Sequence, residues 1–321
     1  MRKAIKIFHP LRSIDGNSLR RHHFFGGPLR PNPARSHEAY DHYGVAGACG
    51  PVVFAVPHAG RAYPQALIDR ARVPRKVLQG LEDRYADLLV ESLIEQGHHV
   101  LVARQPRALI DLNRDEREVD LRGIQGAPWS FRGQSSAKLR GGLGLIPERL
   151  SSVGNLWREP LPYATLCQHI EQIHRPYHAA LSSALDITRR RYGVALLVDI
   201  HSMPPLLSMA SDTPVPRVVI GDRFGRSAMD QLTDLCADVI RRHQIAVAIN
   251  APYAGNHILE RHGRPHADVH AIQIEFDRSL YLDDSLAEPG EGLAAIQTLL
   301  VTLAQQLIRE LVDSARPLAA E

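Results

Sequence analysis

The apolar positions of this chain form short unbroken runs that alternate with longer segments of helical spacing. The longest run begins at Val194 and ends in Asp199, His201 and Ser202. A run this long and β-branched is typical of a strand that is buried on both faces of a mostly parallel sheet. Ligands bind beyond the carboxyl ends of such strands, so Asp199 and His201 are candidates for a site. Strand-end Asp and Ser are also common turn residues, which leaves a capping role open.

Further runs of both kinds extend this pattern along the chain. Strands are predicted at residues 51–57, 100–103, 108–112, 218–220, 245–249 and 271–276. Helices are predicted from about residue 65 and at 78–95, 163–191, 226–243 and 290–312. Strands that alternate with helices indicate right-handed crossovers between neighbouring strands. The sequence therefore predicts a three-layer αβα fold of the α/β class, with a mixed, mainly parallel sheet between two layers of helices.

Two stretches lack this periodicity. Residues 1–45 are rich in Arg, His, Pro and Gly and are predicted to be a loosely structured N-terminal extension. The remainder, residues 46–321, is predicted to be one α/β domain. Within it, residues 114–160 are rich in Gly, Arg and Ser, and a connection of this length is usually functional or mobile.

The composition excludes several classes of protein. With 321 residues, of which 44% are hydrophobic, the chain can bury a sizeable core. The net charge of +3 comes from 38 basic and 35 acidic residues, so neither nucleic acid nor a membrane surface is expected as a partner. Three widely spaced cysteines form neither a disulfide framework nor a thiolate metal site. No signal peptide or membrane span is recognisable, and a cytoplasmic protein is expected.

A second histidine, His58, directly follows the predicted strand at 51–57. Because the carboxyl ends of parallel strands meet at one edge of a sheet, His58 and His201 could bind the same ion, and neutral histidine is a common zinc ligand. A catalytic zinc usually takes three protein ligands, and the third is expected to be a carboxylate. Asp83 is the first candidate and Glu82 the second. Acidic residues at the start of a helix also interact favourably with its dipole, so a structural role stays open.

Glu275 lies within an otherwise apolar strand, where a charged side chain is costly unless it has a partner. Beside a metal ion, its carboxylate would serve as a general base that later protonates the leaving nitrogen. The structural alternative is an ion pair with Arg278 or Arg261.

Basic residues surround the short strand predicted at 108–112. Arg104, Arg107 and Arg114 flank it, and guanidinium groups bind carboxylates in a bidentate manner. The cluster suits an anionic substrate, although arginines in loops are most often solvated surface charges.

A further histidine pair, His174 and His178, stands four residues apart in a helical segment. Pro176 lies between the two, and the Glu of a His-Glu-x-x-His motif is absent. The pair is therefore predicted to be structural, with His178 as a candidate for lining the site.

Together these motifs resemble those of N-formylglutamate amidohydrolases. The matching segments are Val56-Pro-His-Ala-Gly60, Glu82-Asp83, Ala103-Arg-x-x-Arg107, Ile110-Asp-Leu-Asn-Arg114, Arg175-Pro-Tyr-His178, Asp199-Ile-His-Ser202, Asn250, Arg261-His-Gly-Arg-Pro265 and His270-Ala-Ile-Gln-Ile-Glu275. They cover roughly residues 51–283 in chain order; each is short, but the combination is specific. The resemblance implies a zinc carboxypeptidase-like (phosphorylase/hydrolase-like) fold. It also implies a metal-dependent hydrolase that splits a formyl amide into formate and glutamate, at the end of one histidine degradation route.

The resemblance further implies a role for individual residues. His58, Asp83 and His201 would bind one zinc ion, and Glu275 would be the base. Asn113 and Arg114 would hold a substrate carboxylate, Arg107 would polarise the scissile carbonyl or hold a second carboxylate, and Arg104, His178 and Asn250 would complete the substrate site.

The sequence departs from the family pattern in two segments: Gln105-Pro106 is not the pair expected before Arg107, and Asn250–Asn256 lacks an expected arginine. Both departures concern the identity of the substrate more than the class of reaction. The alternatives are a deacylase or peptidase for another N-acyl amino acid or short peptide, and a non-catalytic protein that binds an anionic metabolite. An oligomer is compatible with the sequence. A nucleotide-binding enzyme is disfavoured because no Gly-rich phosphate loop follows a predicted strand.

Overall fold

A seven-stranded sheet forms the centre of the structure, a computed structural model that describes residues 38–207 and 214–314. The strands are β1 Tyr40–Tyr43, β2 Val52–Val56, β3 His99–Ala103, β4 Ile124–Gln125, β5 Arg149–Leu150, β6 Gly154–Asn155, β7 Leu161–Pro162, β8 Ala195–Met203, β9 Val218–Gly221, β10 Val247–Ile249 and β11 Val269–Asp277. The α-helices are α1 Gln65–Arg70, α2 Arg75–Gln79, α3 Ala86–Leu89, α4 Glu91–Glu95, α5 Ala137–Arg140, α6 Tyr163–His169, α7 Arg175–Tyr192, α8 Asp230–Arg242, α9 His257–His262 and α10 Leu293–Ser314. A π-helical turn, Ile170–His174, joins α6 to α7.

The sheet has the strand order β1-β3-β2-β8-β11-β9-β10. Strands β3, β2, β8 and β11 run parallel to one another, and β10 is parallel to β9. Strand β1 is antiparallel to β3, and β9 is antiparallel to β11. The predicted α/β fold with a mixed, mainly parallel sheet is thereby confirmed.

The two faces of the sheet pack against separate layers of helices. Along β8, Leu196, Val198 and Ile200 contribute to one core, and Ala195 and Leu197 contribute to the other. The first core also contains residues of α3, α4, α8 and α10, whereas the second contains residues of α1, α2, α6, α7 and α9. All nine residues of β8 are buried, as the unbroken apolar run predicts for a central strand.

Two predicted elements are wrong, and both lie next to the candidate site. The segment predicted as one helix at 78–95 instead contains the end of α2 followed by the separate helices α3 and α4. The helix is interrupted because Tyr85 adopts a left-handed φ of 57° and because the Asp83 N–H donates to the His58 carbonyl and not to a carbonyl of the same helix. The strand predicted at 108–112 is a buried turn, in which the Leu109 N–H donates to the carbonyl of Pro106 at 2.8 Å. Tertiary and turn hydrogen bonds thus replace the regular ones in these two segments.

The predicted N-terminal extension falls mainly on residues 1–37, which lie outside the described residues. Its last part forms β1, where residues 40–43 pair with β3 instead of being loosely structured. The division into an extension and one domain stays a prediction. The connection at 114–160 carries α5, the short strands β4 to β6 and a 3-10 turn at Leu121–Gly123, and β7 follows it directly.

Candidate active site

The carboxyl ends of β2 and β8 bring His58 and His201 together. These strands are neighbours in the sheet, and the two imidazole rings lie with their centroids 4.8 Å apart. Asp83, in the loop between α2 and α3, places its Oδ2 atom 2.9 Å from His201 Nδ1 and 3.4 Å from His58 Nδ1. All three side chains are buried. The predicted convergence of these residues is therefore present in the structure, and we call them the aspartate-backed triad.

A carboxylate stands behind each imidazole of the triad. His58 Nε2 donates to Asp111 Oδ1 at 2.7 Å, and His201 Nε2 donates to Asp199 Oδ2 at 2.8 Å. A carboxylate that accepts from one ring nitrogen fixes the orientation of the ring and makes the other nitrogen more basic. Both rings consequently direct Nδ1 towards Asp83.

The charged groups of the triad shift one another's pKa values. Burial alone would raise the pKa of Asp83, but the adjacent imidazoles of His201 and His58 outweigh it and hold this pKa well below its usual range. Burial would lower the pKa of His201, but the adjacent Asp199 and Asp83 carboxylates outweigh it and raise this pKa well above its usual range. The arrangement therefore stabilises positive charge between the two rings.

The donor set of the triad fits a divalent cation. His58 Nδ1 is buried and makes no hydrogen bond within the described residues, and one ligand atom from each triad member lies within 4.8 Å of the others. Two imidazoles and a carboxylate are ligands that zinc prefers, and a metal ion competes with protons for the same lone pairs. Glu82, the alternative ligand, instead accepts hydrogen bonds from the Tyr63 hydroxyl and from Arg84.

Glu275 projects from β11 next to the triad, since it pairs with His201 in the sheet register. Its side chain accepts a hydrogen bond of 2.8 Å from Gln273 Nε2 and is only 9% exposed. Burial, together with the Asp83 charge, raises the pKa of Glu275 although His201 acts against this rise. The alternative ion pairs with Arg278 and Arg261 are not formed among the described residues.

A cavity of about 210 Å³ opens in front of the triad and Glu275. Four cationic side chains line it: Arg107, Arg114, Lys138 and Arg278. Arg107 Nε donates to Asp111 Oδ2 at 2.8 Å, which links this arginine to the carboxylate behind His58. Because the cavity contains more cations than anions, it suits an anionic small molecule.

Asn113 connects the cavity to the layer behind it. Its Oδ1 accepts from the Ile258 N–H at 2.9 Å, and its Nδ2 donates to Gln273 Oε1 at 3.4 Å. The second hydrogen bond is long, but it links Asn113 to Glu275, because Gln273 in turn donates to the Glu275 carboxylate. Asn113 and Arg114 both line the cavity, and their binding of a substrate carboxylate stays a prediction.

Three residues predicted to bind substrate do not line the cavity among the described residues. Arg104 pairs with Asp41 at 3.1 Å, beside β1. Asn250 caps a turn, since its Oδ1 accepts from the Asp222 N–H at 3.0 Å. His178 is buried behind the turn at 112–114. A direct contact between these side chains and substrate stays a prediction that the geometry does not support.

Sequence reasoning missed several features that complete the site. Asp199 was a candidate, but its role as the partner of His201 Nε2 was not predicted, although it stands two residues before His201 in the same strand. Lys138, Tyr253 and Arg278 line the cavity from three separate segments. No local motif marks them, because only the tertiary fold brings those segments together.

A second group of imidazoles lies behind the turn at 112–114, and we call it the histidine cluster; its members are His174, His178, His257 and His262. Ligand atoms of the first three lie within 4.8 Å of one another. His178 Nε2 donates to the Leu112 carbonyl at 3.0 Å, so its Nδ1 accepts from His262 Nε2 at 3.0 Å.

The environment of the histidine cluster favours neutral imidazoles. His174 Nε2 donates to the Arg114 carbonyl at 2.8 Å. Burial lowers the pKa of His257 to about 4 and that of His262 to about 3. Burial also holds the pKa of His178 well below its usual range. Both nitrogens of His178 are occupied, so the cluster is less suited to a metal ion than the triad is.

Comparisons with known proteins identify the family of this chain. The sequence model of the N-formylglutamate amidohydrolase family matches residues 50–282. An N-formylglutamate deformylase from Pseudomonas putida is 29% identical over 241 residues, covering 73% of this chain and 83% of that protein. One from Pseudomonas aeruginosa is 26% identical over 274 residues, covering 82% and 92%.

Solved structures show the same relationship. The crystal structure of an N-formylglutamate amidohydrolase from Ralstonia eutropha JMP134 has a TM-score of 0.79 and 31% identity, covering 86% of this chain and 99% of that one. A protein from Agrobacterium tumefaciens shares the fold, with a TM-score of 0.60 and 20% identity over 87% of this chain and 97% of that one. Within the described residues, no helix has the length and apolarity that a membrane crossing requires. The resemblance inferred from the motifs is confirmed: the chain belongs to the N-formylglutamate amidohydrolase family.

Proposed function

We propose that this protein is a metal-dependent amidohydrolase that cleaves the formyl amide of N-formyl-L-glutamate to formate and glutamate. The observation that carries the proposal is the aspartate-backed triad beside Glu275, at the base of a cavity lined by cations. The two Pseudomonas relatives, which are named N-formylglutamate deformylases, support the choice of substrate. The reaction would stand at the end of a histidine degradation route.

His58, Asp83 and His201 are the residues that would hold the metal ion, for which zinc is our choice. When bound there, zinc supplies a Lewis acid that polarises the acyl carbonyl and acidifies water. Asp111 and Asp199 keep the two imidazoles oriented by accepting their Nε2–H groups.

Glu275 is the proposed general base. Its carboxylate faces the triad from β11 and takes a proton from the attacking water, which it later delivers to the departing amine. Gln273 holds the Glu275 side chain by a hydrogen bond of 2.8 Å. Because one carboxylate performs both proton transfers, no further acid is required near the scissile bond.

The arginines orient the substrate and stabilise developing charge. Arg107 uses Nε for Asp111, which leaves its terminal nitrogens for the acyl oxygen. Arg114 donates from Nε to the Leu143 carbonyl at 2.9 Å and from Nη1 to the Asn113 carbonyl at 2.6 Å. These bonds hold the guanidinium in place, so its remaining nitrogen and the adjacent Asn113 can bind the α-carboxylate.

A second candidate is a deacylase for another N-acyl amino acid. One observation favours it: the segment at 250–256 contributes Tyr253 and Asn256 to the cavity but no arginine.

A cytoplasmic location is also proposed. It is supported by the three cysteines, Cys49, Cys167 and Cys236, which form no disulfide bond.

The test is formate release by the purified full-length chain from N-formyl-L-glutamate, beside the acetyl and succinyl analogues and a formylated peptide. We expect formylglutamate to give the highest kcat/KM. Removal of the metal by a chelator should abolish release, and added zinc should restore it. Faster hydrolysis of another acyl group would favour the second candidate, and full activity in the chelated protein would refute the metal dependence.

A further inference from the structure

Lys138 stands at the mouth of the candidate active site without an acidic partner. It belongs to α5, in the long connection at 114–160, and it lines the same cavity as the triad. Among the described residues, its ammonium group has no carboxylate within ion-pair distance, and its recorded contact is with the Tyr253 ring, 5.8 Å from the centroid. Burial, followed by the charges of Arg114 and Arg107, lowers the pKa of Lys138. Its positive charge is therefore incompletely compensated by the protein.

The other cations of the cavity already have protein partners. Arg107 pairs with Asp111, and Arg114 donates to two backbone carbonyls. Arg278 donates from Nε to Ser202 Oγ at 3.2 Å and lies 3.6 Å from Asp83 Oδ1. An anionic ligand would therefore stabilise the charge of Lys138 more than that of the other cavity cations.

The backbone holds Lys138 in a defined place relative to Arg114. The Leu143 N–H donates to the Lys138 carbonyl at 2.9 Å, and the carbonyl of the same Leu143 accepts from Arg114 Nε at 2.9 Å. The Ser136 hydroxyl caps α5 by accepting from the Leu139 N–H at 3.0 Å. Two cations are therefore presented to the cavity through one shared residue.

We propose that the Lys138 ammonium binds the side-chain carboxylate of the substrate while Asn113 and Arg114 bind its α-carboxylate, so that Lys138 selects N-acyl amino acids with an acidic side chain. This inference rests on the proposed function and specifies which residue recognises the second charge. It also gives the connection at 114–160 a role in specificity. The missing arginine at 250–256 is replaced by a cation from another segment.

The test compares N-formyl-L-glutamate with its neutral isostere N-formyl-L-glutamine in the full-length chain. A charge-assisted hydrogen bond predicts that Lys138→Met lowers kcat/KM for formylglutamate by roughly 10- to 100-fold, mainly through KM. The loss for formylglutamine should be much smaller, so the preference for the acid collapses. Lys138→Arg should restore most of it. Lys76→Met is the matched control, because Lys76 belongs to a short helix as Lys138 does but does not line the cavity.

A calorimetric measurement separates this inference from the proposed function. L-glutamate should bind to the wild-type protein more tightly than L-glutamine, and Lys138→Met should remove the difference, whether or not formate is released. If the protein releases no formate but still prefers glutamate in a way that depends on Lys138, the proposed function is refuted and the role of Lys138 is retained. An unchanged preference for the acid in Lys138→Met, in both assays, would overturn the role of Lys138, as would a wild type that binds neither amino acid.

Discussion

The aspartate-backed triad and the histidine cluster are both buried groups of imidazoles, yet they have opposite electrostatic character. In the triad each Nε2–H is donated to a carboxylate, whereas in the cluster His174 and His178 donate to backbone carbonyls. The carboxylates raise the pKa of His201, and burial lowers the pKa of His178. The difference teaches that the partner of the second ring nitrogen, more than the number of histidines, decides whether such a group suits a cation.

The two groups nevertheless serve the same site. The histidine cluster contacts the carbonyls of Leu112 and Arg114, on either side of Asn113. Neutral imidazoles can donate these bonds without placing charge behind the substrate pocket. We therefore interpret the cluster as a support for the Asn113-Arg114 pair, and the triad as the reactive centre.

The largest effect on turnover is expected beside the triad. Glu275→Gln keeps the size of the side chain but removes the proton acceptor, so kcat should fall by about 10²- to 10⁴-fold. Metal content should stay at the wild-type level because Glu275 is not a proposed ligand. The measurement is formate release together with metal analysis, and Glu260→Gln, at an exposed position of α9, is the control. A near-normal kcat would remove Glu275 from the mechanism.

A smaller effect is expected from the carboxylates behind the triad. Asp199→Asn preserves an oxygen for His201 Nε2 but removes the negative charge, and metal affinity should fall by roughly 10- to 100-fold. Competition with a chelator of known affinity measures the change. Asp234→Asn, at an exposed position of α8, should leave the affinity unaltered. Equal affinities in the two variants would show that the backing carboxylate is dispensable.

The histidine cluster should affect stability and KM rather than metal binding. His178→Ala leaves the Leu112 carbonyl and a nitrogen of His262 without partners, and the free energy of unfolding should fall by roughly 2–4 kcal/mol. KM should rise because the turn that carries Asn113 loses its support. Urea unfolding and steady-state kinetics provide the measurement, with exposed His243→Ala as the control. Loss of metal in His178→Ala would contradict the separation of the two groups.

The smallest expected effect is a difference in pH dependence. The depressed pKa of His257, about 4 in the folded state, means that the unfolded chain binds more protons below about pH 6.5. Stability from this group is therefore complete above pH 6.5 and decreases towards pH 4. The raised pKa of His201 acts with the opposite sign, because its contribution is complete below pH 6.5 and is lost as the pH rises.

This difference can be measured by urea unfolding of the chelated protein between pH 7 and about pH 4.5. His257→Gln should lose less stability on acidification than wild type, because the glutamine does not titrate. If the free energy of unfolding has the same pH dependence in both proteins, the pKa of His257 is not depressed by folding.

Much of the fold could be predicted because its strands are locally encoded. The apolar runs of β8 and of β2, which precedes His58, indicate buried strands, and both strands are fully buried. The polar residues that end these runs indicate which edge of the sheet holds the site. The elements that failed are those whose backbone bonds are tertiary. Asp83 donates its N–H to His58, and Asp111 donates its N–H to Leu145, so neither segment follows the periodicity of its side chains.

The candidate site was predictable to the same extent. His58 and His201 mark strand ends, Glu275 interrupts an apolar pattern, and Asp83 is an acidic residue near a predicted helix start. These four residues lie together in the structure. Lys138 and Arg278 carry no such mark, because exposed cations are common in loops. Their place beside the triad depends on the path of the chain between strands, which a single sequence does not reveal.

The central claim is that the aspartate-backed triad binds the catalytic ion and the histidine cluster does not. The most direct measurement is the metal content of purified His201→Ala and His257→Ala beside wild type. We predict about one equivalent of zinc in wild type and His257→Ala and little in His201→Ala, consistent with three protein ligands for such an ion. A full equivalent in His201→Ala together with loss in His257→Ala would contradict the account.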